Sequence, residues 1–160
     1  MILDATASYR AMWVNKQDPD AVFLDMRREV KPDVVAVWQA LPFPDCAFEV
    51  VNWDPPHMVY RVEGKPSFLA DRFGLLERET WPVDLKSAFD ELMRVVSPGG
   101  VLLLKWNDNH IRAKRLLSLF RALPKFGSQV GGSKGFRTKT SKESRSTTSW
   151  FCFVKEENAS

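Results

Sequence analysis

The chain has 160 residues, 44% of them hydrophobic and 27% charged, with a formal net charge of +3. That is enough for one domain with a real core, and the composition is that of an ordinary globule. It excludes a membrane span, because no apolar run approaches the roughly 20 residues one needs. Met1-Ile2-Leu3-Asp4 lacks a basic region and cleavage pattern, so no signal peptide is expected. Cys46 and Cys152 are far apart in the chain, which fits reduced thiols in a cytoplasmic protein. With His57 and His110 the only histidines and no Cys-x-x-Cys, a metal site is not expected.

In chain order, apolar segments alternate with helical ones, the pattern of a mostly parallel sheet covered by helices on both faces. Met1 to Ala5 reads as a first strand. Tyr9 to Lys16 reads as a short helix or turn. Ala21 to Leu24, ending at Asp25, reads as a second strand, and Val34 to Val37 as a short third. Phe48 to Trp53 is a fourth, with the continuous apolar character of a strand buried on both faces. From Asp84, the residues Leu85, Ala88, Phe89, Leu92, Val95 and Val96 fall on one helical face, and Ser97-Pro98-Gly99-Gly100 stops that helix. Val101 to Trp106 is a fifth strand. A second helix is expected from Asn109 to Leu123, capped by Asp108 and stopped by Pro124. Gly127 to Ser149, rich in Gly, Ser, Thr and Lys, reads as a long loop, most basic over residues 128 to 146. Trp150 to Val154 is a last strand, closing an antiparallel hairpin, and Glu156 to Ser160 is a polar tail. The whole reads as one domain, residues 1–160.

Charge is unevenly placed. Between Lys125 and Arg145, six basic residues oppose Glu143 alone, a local excess of +5 that leaves −2 for the remainder. Phosphate backbones are natural partners for such a segment, and a solvated loop is the equal alternative.

Two stretches carry chemistry. The first is Leu41-Pro42-Phe43-Pro44-Asp45, followed by Phe48-Glu49-Val50-Val51-Asn52-Trp53-Asp54-Pro55-Pro56-His57. The second is Ser97-Pro98-Gly99-Gly100-Val101-Leu102-Leu103-Leu104-Lys105-Trp106-Asn107. Each proline at the end of the fourth strand fixes φ and lacks an N–H, leaving nearby carbonyls bare. A carboxylate beside a bare carbonyl is an acceptor-only pocket suited to an –NH2 group.

On these residues the chain resembles class I S-adenosylmethionine (SAM) dependent methyltransferases. It is closest in pattern to the branch with Asp/Asn-Pro-Pro-aromatic that methylates N6 of adenine or N4 of cytosine. More narrowly it resembles small phage and prophage-type DNA methyltransferases with Asp-Pro-Pro-His. The resemblance runs from Ile2 to Lys155. It implies an α/β, Rossmann-like sheet of the seven-stranded type with SAM as cofactor. Catalysis is implied at Asp54, Pro55, Pro56 and His57. Asp54 and the Pro55 carbonyl would each accept an N–H, and His57 would stack on the base or help to remove the proton. The cofactor is implied at Asp4, Ala5, Thr6, Ala7 and Ser8, at Asp25 for the ribose, and at backbone groups near Leu41 and Phe43 for the adenine. The Asp4–Ser8 loop has no glycine where this family is glycine-rich, and Val37 beside Trp38 stands where many relatives carry an acid. Lys105 and Asn107 would face the same crevice, and Lys134, Arg137 and Lys139 would meet phosphate. Asp71, Phe73 and Gly74 are candidates for a lid, and Trp13, Trp38 and Trp81 for the cleft. DNA is the expected acceptor and RNA its competitor. A SAM-binding module without transferase activity and a small-molecule N-methyltransferase remain open alternatives.

Overall fold

The computed structural model describes residues 1–59, 74–108, 110–130 and 148–157. Among these residues are seven strands: β1 (Ile2–Asp4), β2 (Ala21–Asp25), β3 (Val34–Val35), β4 (Phe48–Trp53), β5 (Val96–Asn107), β6 (Phe126–Val130) and β7 (Thr148–Val154). They form one sheet in the order β3-β2-β1-β4-β5-β7-β6. The pairs from β3 across to β5 are parallel. β7 runs antiparallel to both β5 and β6. The strand order reverses between β1 and β4, whose carboxyl ends therefore lie side by side, with Asp4 in register with Asn52.

Helix α1 (Trp81–Val95) begins with Pro82 in its first turn and buries Trp81, Leu85, Ala88, Phe89, Leu92 and Met93. Its carboxyl end is closed by Lys155, whose Nζ donates to the carbonyls of Arg94 at 3.0 Å and Val96 at 2.7 Å. Helix α2 (Ala113–Leu117) is shorter than the expected span from Asn109 to Leu123. The chain tightens after Leu117, with the N–H groups of Leu119 and Phe120 donating three residues back, to the carbonyls of Leu116 and Leu117. That turn lays Phe120 flat on Phe89, with ring centroids 4.2 Å apart, and against Trp53 and Phe153.

The core lies on one face of the sheet. Leu3, Leu24, Val51, Trp53, Leu102, Leu104, Trp106 and Phe153 pack there against Leu85, Phe89, Leu92 and Leu116. Both described α-helices pack on this side. The opposite face presents Asp4, Phe23, Asn52, Leu103 and Lys105. Turns of the segment from Tyr9 to Lys16 meet it, with Trp13 edge-on to Phe23 and the Arg10 guanidinium 3.9 Å from the Phe23 ring centroid. Among the described residues no helix is long and apolar enough to cross a membrane.

Further boundaries differ from the sequence expectation: β3 ends at Val35, two residues early. Ser97-Pro98-Gly99-Gly100 ends α1 but lies inside β5, as a bulge: Phe48 pairs with Val96 and Val50 with Val101. Gly99 takes φ +74°, and Gly100 packs so tightly that an added Cβ would lie 2.7 Å from the Glu49 carbonyl. The expected loop beginning at Gly127 is shortened by β6, which runs to Val130. β6 is an edge strand of small and polar residues with no apolar alternation, so it carries little sequence signal. Residues 131–147, with Lys134, Arg137, Lys139, Lys142 and Arg145, lie outside the described residues, as do Asp71 and Phe73.

Candidate active site

The loop leaving β1 does without glycine by spending its backbone donors internally. The N–H of Ala5 donates to the Asn52 carbonyl at 2.9 Å, and that of Ala7 to the Leu24 carbonyl at 3.0 Å. Thr6 N–H donates to Asp4 Oδ1 at 3.2 Å and Ser8 N–H to Asp25 Oδ2 at 2.9 Å. Ser8 and Arg10 take φ of +45° and +53°, the left-handed region that glycine occupies freely. For an L-residue this costs roughly 1–2 kcal/mol each. Arg10 holds the turn by donating to the Lys16 and Lys31 carbonyls and pairing with Asp33 at 3.1 Å.

Asp4 is buried and wholly engaged within the protein. Oδ2 accepts from Trp13 Nε1 at 2.6 Å, and Oδ1 accepts from Thr6 N and, at 3.3 Å, Asn52 Nδ2. Burial pushes its carboxyl above the usual range; the donors oppose that rise and the nearby Asp54 charge adds to it. Asp4 is thus a strut between β1, β4 and the Trp13 turn.

Asp25 closes β2 and is 6% exposed. Besides Ser8 N–H, its carboxylate accepts from Arg27: Nε lies 3.0 Å from Oδ1 and Nη2 3.1 Å from Oδ2. The same Nη2 also donates to Ser8 Oγ at 3.0 Å. The guanidinium therefore ties the ends of the first two strands together.

Asp54 follows β4. Its N–H donates to Thr6 Oγ1 at 2.7 Å, joining the two loops. Lys105 Nζ donates to Oδ2 at 2.8 Å and His57 Nε2 lies 3.0 Å from Oδ1. Burial works to raise the Asp54 carboxyl, but hydrogen bonds and charge from His57 and Lys105 prevail and hold it below the usual carboxylate range. The His57 ring packs edge-on to Trp106, and its buried Nδ1 has no partner among the described residues. Its contacts are thus with Asp54 and Trp106.

These groups surround a cavity of about 330 Å³, within the range typical of ligand pockets. Of the residues singled out in the sequence, Asp4, Thr6, Ala7, Ser8, Asp25, Asp54, Pro56 and Gly74 line it, and so does Trp38. Ala5, Pro55, His57, Lys105 and Asn107 are not on its wall. Pro55 is buried, and Lys105 reaches Asp54 from behind. Asn107 turns its amide across to Thr148 Oγ1 at 2.9 Å. Leu41 and Phe43 do not reach the cavity either. The Leu41 N–H donates to Glu91, while the Leu41 and Phe43 carbonyls accept from Arg94, so these groups are taken and Val37, Trp38 and Gln39 form the wall instead. Trp13 is bound to Asp4 and Trp81 is buried in the core.

Met12, Met26, Arg27 and Gln39 also line the cavity and were not singled out in the sequence. Arg27 was within reach of a sequence argument, two residues beyond the carboxylate that it binds. A second cavity of about 410 Å³ shares Gln39, but its cations are engaged: Arg94 with Glu91 and Asp45, Arg121 with Asp90, and Lys155 with the Arg94 and Val96 carbonyls.

The 330 Å³ cavity suits a nucleoside. A carboxylate stands at the end of β2, and Met26, Val37 and Trp38 beside it offer apolar surface for a flat base. The loop's four N–H groups are already bonded, so it has no cradle for a pyrophosphate. SAM, a nucleoside without phosphate, fits that set.

No family model matches the chain and no curated protein matches it. Solved structures do. A protein from Pyrococcus horikoshii OT3 is similar at TM-score 0.64 and 11% identity, over 98% of this chain and 81% of that one. A SAM-dependent methyltransferase from Methanosarcina mazei is similar at TM-score 0.60 and 13% identity, over 97% of this chain and 92% of that one. The [4+2]-cyclase SpnF is similar at TM-score 0.53 and 14% identity, over 81% of this chain and 54% of that one. Likeness at such identity is likeness of fold, and a cyclase among the neighbours shows that the fold hosts more than one reaction. The chain shares the α/β, Rossmann-like fold of these neighbours, a SAM-dependent methyltransferase among them.

Proposed function

We propose that the protein binds SAM in the 330 Å³ cavity and methylates an exocyclic amino nitrogen of a nucleic-acid base, with DNA the first acceptor to test. One observation carries this reading: Asp25 and Asp54 stand on walls of the same cavity, so a cofactor end and an acceptor end share one space. SAM, when bound, would supply an electrophilic methyl whose carbon–sulfur electron pair leaves with sulfur as the acceptor lone pair takes the carbon. Asp25 holds the ribose hydroxyls, sharing its carboxylate with Arg27. Asp54, which lines the cavity, accepts an N–H of the acceptor and so orients the nitrogen lone pair towards the methyl. The proton shed by the methylated nitrogen passes to Asp54 and on to water. Lys134, Arg137 and Lys139 meet the phosphate backbone in this reading.

The second reading is a SAM-binding module without transfer. It is favoured by the internal engagement of the loop's N–H groups and of both Asp54 oxygens. The experiment joins calorimetric titration with SAM to methyl transfer from radiolabelled SAM onto DNA and RNA. Micromolar SAM binding lost in Asp25→Ala, with transfer lost in Asp54→Asn, is the expected result. Binding without transfer to either nucleic acid establishes the module, and absence of binding ends the SAM reading. Replacing Lys134, Arg137 and Lys139 by Gln should weaken DNA binding at low salt and flatten its salt dependence.

A further inference from the structure

Asp54 is already held before any acceptor arrives. Lys105 reaches it from β5 and His57 from its own loop, one on each oxygen, while its backbone N–H is fixed by Thr6. The Lys105 ammonium is part-buried, with a side-chain exposure of 28%, and its other contact here is Met12 Sδ at 3.8 Å. It points along the sheet face that carries Asp4 and Asn52. A phosphate-binding lysine would instead stand free at the rim. A carboxylate has about four acceptor sites, so two donors fix its plane and leave lone pairs for an incoming amino group.

We infer that Lys105 is a positioning residue: its ammonium, opposite His57, locks the Asp54 carboxylate in the orientation that receives the acceptor –NH2. This rests on the reading of Asp54 given above. The charged groups facing Asp54 are Lys105 from β5, His57 from its own loop and the Asp4 carboxylate from β1. The first two favour its ionised form, and burial opposes it; the repulsion between the two carboxylates falls on Asp4, whose own carboxyl is raised. Removing Lys105 leaves burial opposed by His57 alone. The sign follows. A carboxyl held low acts in its ionised form down to low pH, and losing Lys105 moves its titration upward, so function is lost at a higher pH as pH falls.

The test is Lys105→Met beside Lys105→Arg, with folding verified by circular dichroism and melting. Aspartate labelled with 13C at the side-chain carboxyl reports the Asp54 titration directly, its signal assigned by its absence in Asp54→Asn. The Asp54 titration should rise in Lys105→Met and return towards wild type in Lys105→Arg. In parallel, kcat should fall roughly tenfold or more with the SAM KM unchanged, as when an oriented group in the transition state is disturbed, and the acid limb of kcat/KM should move to higher pH. An unmoved Asp54 titration overturns the inference. So does a Lys105→Met enzyme whose pH profile is wild-type and whose defect is weaker DNA binding with a flatter salt dependence, the mark of a phosphate contact. The NMR arm needs no turnover, so it stands apart from the transfer reading. If Asp54→Asn keeps transfer activity, the functional reading fails whatever Lys105 does.

Discussion

Ser8 and Arg10 adopt the left-handed backbone that a glycine would take without strain, and Arg10 stabilises the arrangement. Its guanidinium, with a side-chain exposure of 18%, bonds two carbonyls and Asp33 and lies over the Phe23 ring. Arg10→Ala should therefore cost about 1–3 kcal/mol, combining lost charged hydrogen bonds with a lost cation–π contact. Chemical denaturation measures it. The same variant should weaken SAM binding in calorimetry, because Ser8 and Ala11 line the cavity on either side of this turn. A variant with wild-type stability and affinity would show that the turn holds itself. None of this was legible in the sequence. The absence of glycine at Asp4 to Ser8 was plain, but how a non-glycine chain reaches the same backbone depends on Asp33, Lys16 and Phe23, which local sequence does not link. Asp4 is a similar case. Its position at a strand end suggested a place in the site, and it does line the cavity; that its three donors also make it a strut was not readable.

At the scale of elements, the segment Leu41 to Asp45 shows how a loop far from the reaction governs the wall of the site. Arg94 of α1 donates to the Leu41 and Phe43 carbonyls and pairs with Asp45 at 2.6 Å, while Glu91 takes the Leu41 N–H. The Glu91 carboxyl is held low, chiefly by its hydrogen bond to Arg94. Arg94→Ala should destabilise the fold by about 1–3 kcal/mol, since it strands two carbonyls and two carboxylates at once. The denaturant midpoint reports this. Because Val37, Trp38 and Gln39 sit just ahead of the loop, SAM affinity should drop with it; unchanged affinity would mean that the wall stands without its anchor. The central strands were legible from their apolar residues, although Phe48 to Trp53 is not buried on both faces as expected: Phe48, Val51 and Trp53 are buried, while Glu49 is exposed and Asn52 only half-buried. The α1 face was legible from its spacing. β6 was not, since Gly127, Ser128 and Gln129 carry no strand pattern, and Gly127 is required by the Phe151 ring, 2.9 Å from where its Cβ would stand. The helix expected to Leu123 stopped early because Phe120 has to turn into the core.

For the molecule as a whole, sequence and fold agree best where the strand order reverses. Asp25 and Asp54 were each readable as strand-end carboxylates, and the sheet order is what brings them to one cavity. The identity of the neighbours on Asp54 was not readable, because it depends on which face of β5 points at β4. That face is decided at the other end of the strand. Between Val96 and Val101 the bulge consumes extra residues before the ladder with β4 resumes, and side chains alternate with a period of two from there on. Losing one residue from Ser97-Pro98-Gly99-Gly100, with the ladder otherwise kept, would carry Lys105 round to the helical core and swing Leu104 and Trp106 towards Asp54. A length change at the rear of the sheet would thus exchange the cation beside the Asp54 carboxylate for hydrocarbon. This stretch should tolerate substitution at Ser97 far better than any insertion or deletion.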